Sequence, residues 1–148
     1  MTAPVFLADN RHFDEAKPFC HLVKAGDFLW LSGIVAYDEH GKIVGPGDVR
    51  AQARQIFANM QRRLGLVGCD LKSVIRLTTY LTTPMTDMKF TKLYWEARQE
   101  FFGGHRPAST GVQVAALMLP ELVVEVDAVA YAPNAIVGPE ARVLKGGM

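Results

Sequence analysis

Residues 122–131 read Leu-Val-Val-Glu-Val-Asp-Ala-Val-Ala-Tyr, a run that a backbone with a two-residue repeat sorts cleanly. Val124, Val126, Ala128 and Ala130 fall on one side, and Val123, Glu125, Asp127 and Val129 on the other. The first side is wholly apolar and has to be covered by a second layer, so the fold is built around a sheet. A second strand of the same period runs over residues 73–82, with Ile75, Leu77, Thr79 and Leu81 alternating against Val74, Arg76, Thr78 and Tyr80.

Two helical repeats supply the covering layer. From Asp48, an N-cap, the apolar positions Val49, Ala53, Ile56, Phe57, Met60 and Leu64 recur at helical spacing, with Gly65 as the C′ residue. A second helix starts at Thr86 or Asp87, buries Phe90, Leu93, Tyr94, Ala97 and Phe101, and stops at Gly103-Gly104. Residues 28–35 form a strand that the turn His40-Gly41-Lys42 connects to Ile43-Val44 as a hairpin, and 111–117 form another strand ahead of 122–131. The expected class is α+β, two helices on one face of a mixed sheet, as a single domain over residues 1–132 with residues 133–148 a C-terminal extension or clasp. Two helices leave sheet positions such as Leu29, Leu31, Val112 and Val114 without a partner in the chain, so further subunits are expected to cover them.

With 148 residues, a net charge of +1 and no basic stripe, nucleic acid and anionic membranes are not expected partners. No apolar run approaches the ~20 residues of a membrane span. Two cysteines without metal-ligand spacing and no visible export signal give the expectation of a reduced, cytoplasmic protein. Phosphate loops, zinc patterns and Ca²⁺ loops are missing from the sequence, so no metal and no cofactor is expected.

Chemistry concentrates in three places. Glu125 and Asp127 lie about 6.6 Å apart along one strand face, so their charges couple and one carboxyl can be held partly protonated, as a general acid or base requires. On spacing alone, solvated or salt-bridged structural acids are the favoured reading. The segment His105-Arg106-Pro107-Ala108-Ser109-Thr110-Gly111 offers an arginine fork and two hydroxyls to a carboxylate or phosphate, or is an ordinary surface loop. Without a nucleophile elbow, serine hydrolase chemistry is set aside. Gly33, inside an apolar strand, marks a bulge or a close approach, or simply relieves packing. Cys20 and His21 are neighbours in sequence, point to opposite faces of a strand and cannot act as thiolate and base.

Taken together, Pro18-Phe19, Val23-Lys24-Ala25-Gly26, Ser32-Gly33, Ala51-Gln52-Ala53-Arg54-Gln55, Thr79-Tyr80-Leu81-Thr82, Arg106-Pro107-Ala108 and the run 112–130 resemble the reactive-intermediate deaminase family, the YjgF/RidA group. The resemblance implies a chorismate-mutase-like fold, a homotrimer with an inner barrel of three sheets, and ligand clefts between subunits. It implies that Glu125 positions or activates water and that Gly33 contacts ligand through its backbone. It places Phe19 at a family tyrosine, Thr91 at a family asparagine, and Gly111 at a position that is often cysteine.

The family's carboxylate-gripping arginine, directly after Pro-Ala, is Ser109 in this chain. Charge-assisted bonds of this kind contribute about 1.5–3 kcal/mol, so binding of ordinary 2-imino acids should be ten- to over a hundredfold weaker. Two functions are therefore expected as alternatives. One is a hydrolase acting on another small enamine or imine, with Glu125 orienting water and Ser109 and Thr110 binding through neutral hydrogen bonds. The other is a noncatalytic trimer that binds a small metabolite in the same cleft.

Overall fold

The computed structural model describes residues 2–10 and 17–145. Among them, strands β1 (Val5–Ala8), β2 (Leu22–Ala25) and β3 (Phe28–Ile34) precede helix α1 (Val49–Gly65), followed by β4 (Val74–Leu81), helix α2 (Met88–Phe102), β5 (Ala108–Gln113), β6 (Val124–Tyr131) and β7 (Arg142–Leu144). All seven strands join one sheet in the order β5-β4-β6-β3-β2-β1-β7. The β4–β5 pair is parallel and the other pairs are antiparallel, so the sheet is mixed, as expected.

Both helices lie on one face. Asp48 caps α1 by accepting the Ala51 N–H at 3.0 Å, and Asp87, not Thr86, caps α2 by accepting that of Phe90 at 3.1 Å. Each expected apolar position of α1 is buried, and so are two polar residues of that helix, Gln52 and Asn59. The helix runs through Gly65, and the left-handed residue that ends its turn is Gly68, at φ +72°. On α2 the fully buried positions are Thr91, Tyr94, Ala97 and Phe102, with Phe90, Leu93 and Phe101 at the edge of the core. Phe57 joins the helices, its ring edge-on to Phe102 with centroids 5.3 Å apart and also against Tyr94 and Phe101. A buried hydroxyl pair, Thr79 Oγ1 and Tyr94 Oη at 2.6 Å, ties α2 to β4.

Four details depart from the sequence reading. The hairpin to Ile43-Val44 reduces to a single Tyr37–Ile43 bridge, because Asp38 closes a tight turn on the His40 and Lys42 N–H groups and Gly45 and Gly47, both at positive φ, turn the chain away. The partners of β3 are β2 and β6 instead. Strand β5 starts at Ala108 and ends at Gln113, three residues earlier than expected at its start. Leu29 and Leu31 lie under the helices and are buried, whereas the open face carries Phe28, Trp30, Ile75, Val112 and Tyr131, all exposed. The uncovered apolar face is therefore present, but β3 contributes its other set of side chains to it. In the tail, the Ile136 and Gly138 N–H groups donate to Val67 and Leu66 carbonyls, and β7 pairs with β1.

Gln52 holds the approach to β6. From α1 its Nε2 donates to the Gly45 and Glu121 carbonyls at 3.0 and 2.7 Å, and its Oε1 accepts the Val123 N–H at 2.9 Å. Replacing it with Ala would leave three polar groups without their partner at a site the structure buries completely. At about 1–3 kcal/mol for an unsatisfied buried group, Gln52→Ala should lose about 2–4 kcal/mol of stability in chemical denaturation, whereas exposed Gln99→Ala should change it little.

Candidate functional site

The residues of interest on β6 are placed by alternation. Val124, Val126, Ala128 and Ala130 are buried beneath the helices, which sends Glu125 and Asp127 to the opposite face. The β3–β6 register shifts between Leu31 and Ile34, placing Gly33 in an irregular stretch beside Glu125. A Cβ on Gly33 would collide with Glu125 Oε1 and lie 3.1 Å from the carboxyl carbon. Both sequence readings of Gly33, bulge and close approach, therefore hold at once, and the approaching group is the glutamate itself.

Side-chain and backbone bonds fasten the irregular stretch. Ser32 Oγ donates to the Cys20 carbonyl at 2.7 Å, and Arg63 Nη1 donates to the Ser32 carbonyl at 3.2 Å. Asn59 Nδ2 donates to the Val35 and Tyr37 carbonyls, extending the same support from α1. The resulting cavity, about 90 Å³, has Gly33, Glu125, Phe19, Tyr37, Met118 and Leu122 on its wall. Asp9, Lys17, His21 and Arg63 add charged or titratable groups to it. The Lys17 ammonium lies 5.8 Å from the Phe19 ring centroid and 5.3 Å from that of Tyr37.

His21 is buried, its Nδ1 accepts the Asp9 N–H at 3.2 Å, and Asp9 Oδ2 accepts from Arg62 Nε at 3.4 Å. Neither Asp9 nor His21 stood out in the sequence as part of a site, because the register that pairs β1 with β2 is what brings them together.

Burial, and then the negative charge of Asp127, holds the Glu125 carboxyl above the ordinary carboxylate range. The coupling expected from the spacing is thus present, with burial the larger cause. Across the strand pair, Tyr80 Oη donates to Asp127 Oδ2 at 2.9 Å.

The other sequence candidates lie elsewhere in the chain. Ser109 is in register with buried Leu77, and Thr110 with Thr78, so their side chains leave β5 on opposite faces. Arg98 Nη1, from α2, donates to Ser109 Oγ at 2.7 Å, and Arg76 Nη2 donates to Thr110 Oγ1 at 2.7 Å. The hydroxyls expected to act as a neutral pair therefore each hold a guanidinium. Arg106 lines a surface groove with Arg98, Trp95 and His105, away from the Glu125 cavity. Thr91 is 1% exposed and donates to the Met85 carbonyl at 3.1 Å. At Gly111 a Cβ would meet the Met85 thioether, at 2.9 Å from Cε, so Met85 occupies the space a side chain there would need. Arg76 and Arg98 were missed as partners of these hydroxyls because they reach β5 from other elements. Among the described residues, no group of three or more His, Cys, Asp and Glu is arranged to hold a metal, and no helix is long and apolar enough to cross a membrane.

A carboxyl whose folded-state pKa is raised binds its proton more tightly in the folded protein than in the unfolded chain. Its contribution to stability is full below the unfolded value and is lost as pH rises through the folded one. Glu125→Gln, neutral at every pH, should therefore raise Tm by a few degrees at pH 7 and lose that advantage below about pH 4, the range where the unfolded carboxyl titrates. Differential scanning calorimetry across pH reads both limbs.

A protein-family model described as Endoribonuclease L-PSP matches residues 5–132. The chain is 32% identical over 114 residues to a RutC family protein of Pyrococcus horikoshii, covering 77% of this chain and 86% of that one. It is 30% identical to the 3-aminoacrylate deaminase RutC of Acinetobacter baylyi, with the same coverage. Among solved structures, a protein of unknown function from Pseudomonas aeruginosa superposes with a TM-score of 0.75 at 28% identity, covering 93% of this chain and 99% of that one. A member of the YjgF/YER057c/UK114 family from Mycobacterium tuberculosis gives 0.72 at 26% identity, covering 88% and 100%. With two helices on a mixed seven-stranded sheet and this family match across nearly the whole described chain, the protein belongs to the Ribonuc_L-PSP family, the YjgF/RidA/RutC group.

Proposed function

We propose that the chain is a hydrolytic deaminase for a small enamine or imine, working as a homotrimer with Glu125 as its proton-transfer residue. The observation that carries this reading is the Glu125 carboxyl, wedged against side-chain-less Gly33 on a cavity wall with its proton affinity raised. An acid–base group is most useful when it titrates nearer the working pH than a free carboxylate does. The relative of A. baylyi named as a 3-aminoacrylate deaminase, itself acting on an enamine, supports the same substrate class.

In this scheme an enamine first takes a proton at carbon from the Glu125 carboxyl and becomes an iminium ion, leaving Glu125 ionised. Water held by the ionised Glu125 then attacks the iminium carbon as Glu125 accepts one water proton; Glu125 passes that proton to the nitrogen, and the carbon–nitrogen bond breaks as the carbinol oxygen gives its remaining proton back to Glu125. Carbonyl product and ammonia account for the water consumed.

Geometry supports assembly. Glu125 lies on the open face of β6, Ser109 points to the helix side of β5, and β4 lies between them. The two can share one cleft only across a boundary between copies. The open face carries a shallow hollow of about 760 Å³ lined by Phe28, Trp30, Ile75 and Val129 with Arg76 and Asp127, an apolar surface that neighbouring copies would cover. With Ser109 bound to Arg98, ordinary 2-imino acids lack the clamp found elsewhere in the family, so substrates other than these are the expected ones.

Light scattering should return three chain masses at micromolar concentration, and Trp30→Asp should reduce it toward one, since an unpaired carboxylate buried between copies costs several kcal/mol. A monomer mass for the unaltered protein would remove the shared cleft. Ammonia release from 2-iminobutyrate and from 3-aminoacrylate, both carboxylates, should be slower than from an uncharged enamine, because the carboxylate clamp is missing. Glu125→Gln should lower the faster turnover by about 10²- to 10⁴-fold with the mass unchanged. Ligand binding without turnover, in both proteins, would favour the metabolite-binding trimer instead.

A further inference from the structure

On the open face, Glu125 and Asp127 of β6 are in register with Tyr80 and Thr78 of β4. Tyr80 therefore starts directly across from Glu125, yet its hydroxyl reaches diagonally to Asp127 and donates to Oδ2 at 2.9 Å. One aromatic side chain thus joins the positions of the two acids. The bond sets an order among the three groups. Because the phenol donates, Asp127 Oδ2 is held as its acceptor. The phenol keeps its proton more firmly than a free tyrosine, first because of this bond and then through burial and the charges of Asp127 and Glu125, so it remains a donor throughout the neutral range.

Glu125 is faced from several sides. From its own strand it faces Asp127, and from β4 it faces Tyr80. The remaining elements around the cavity bring Lys17, Arg63, Asp9, His21 and Tyr37 to its wall. Burial and Asp127 favour the protonated form of Glu125. Resting on the reading of Glu125 as the proton-transfer residue, we propose that Asp127, held by the Tyr80 hydroxyl, is a positioning residue whose fixed negative charge keeps a proton available on Glu125 for the leaving nitrogen. Asp127 acts only through Glu125, and Tyr80 only through Asp127. If the pair merely fastened β4 to β6, its removal would alter stability and leave the Glu125 titration where it was.

The titration is read directly from the Glu125 side-chain carboxyl by ¹³C NMR on glutamate-labelled protein, assigned with Glu125→Gln. Asp127→Asn keeps shape and an acceptor for Tyr80. It should lower the Glu125 midpoint by about half a unit to two units, the Coulomb effect of one charge at about 6.6 Å between watery and protein-like screening. Tyr80→Phe should lower it by less, because the charge remains but loses its anchor, and should add nothing in the Asp127→Asn background. An unmoved midpoint in Asp127→Asn, and in Asp127→Ser as a second test of the same charge, overturns the proposal.

The alkaline limb of kcat against pH, where Glu125 loses the proton it supplies, should move down with the midpoint in Asp127→Asn while KM stays constant. Failure of the enzyme reading is separately visible. Unchanged turnover in Glu125→Gln would remove the glutamate from the chemistry while the titration still reported whether Asp127 controls its proton.

Discussion

The position of β6 governs the site. It lies between β3 and β4, antiparallel to both, so its backbone groups are committed on both sides and its side chains must alternate between faces. Val124, Val126, Ala128 and Ala130 pack beneath α1 and α2, and no register that preserves this packing can bring Glu125 or Asp127 to the helix side. The acids therefore sit on the face that the chain leaves open. Gln52 reinforces the arrangement by fixing the strand's entry at Val123, and Asn59 and Arg63 fix the neighbouring stretch after β3. One face of α1 thus supplies both core packing and the polar contacts that locate the cavity wall.

That dual role explains what could be read from sequence. The apolar stripe of α1 and the alternation of β6 are periodic signals, and each appears in the structure at the expected residues. Gln52 and Asn59 interrupt the stripe as polar residues, and only their distant backbone partners reveal why they are buried. Leu29 and Leu31 share a parity with buried partners on β6, Ala130 and Ala128, but a strand that is apolar on both sides gives no sequence clue to which set faces the helices. The four-residue strands β1 and β2 and the three-residue β7 are too short to show a period, and they form because the sheet offers them an edge.

The family resemblance located Glu125 and Gly33, and the structure places them in contact across β3 and β6. It could not supply what surrounds Ser109. Losing an arginine in sequence suggests an uncharged loop, but Arg98 reaches Ser109 from α2 and also approaches the Pro107 carbonyl, 3.5 Å from Nη2, so a guanidinium remains beside that position. Thr110 is similarly held by Arg76 on the other face. The fully exposed strand β5 therefore displays bound cations on both sides, a charge pattern visible only after the parallel register with β4 is known. A residue-by-residue reading of the loop describes that surface as merely polar.

A carboxyl that both takes a proton from water and returns one to nitrogen has to be accessible in two protonation states, so neither form can be strongly favoured. Gly33 lets the glutamate approach the β3 backbone and lose part of its hydration, a change that disfavours the ionised form. Asp127 disfavours it further. Both influences come from β3 and β6, whose registers are fixed by the packing of the sheet, so the fold itself raises the proton affinity of Glu125 before any ligand enters.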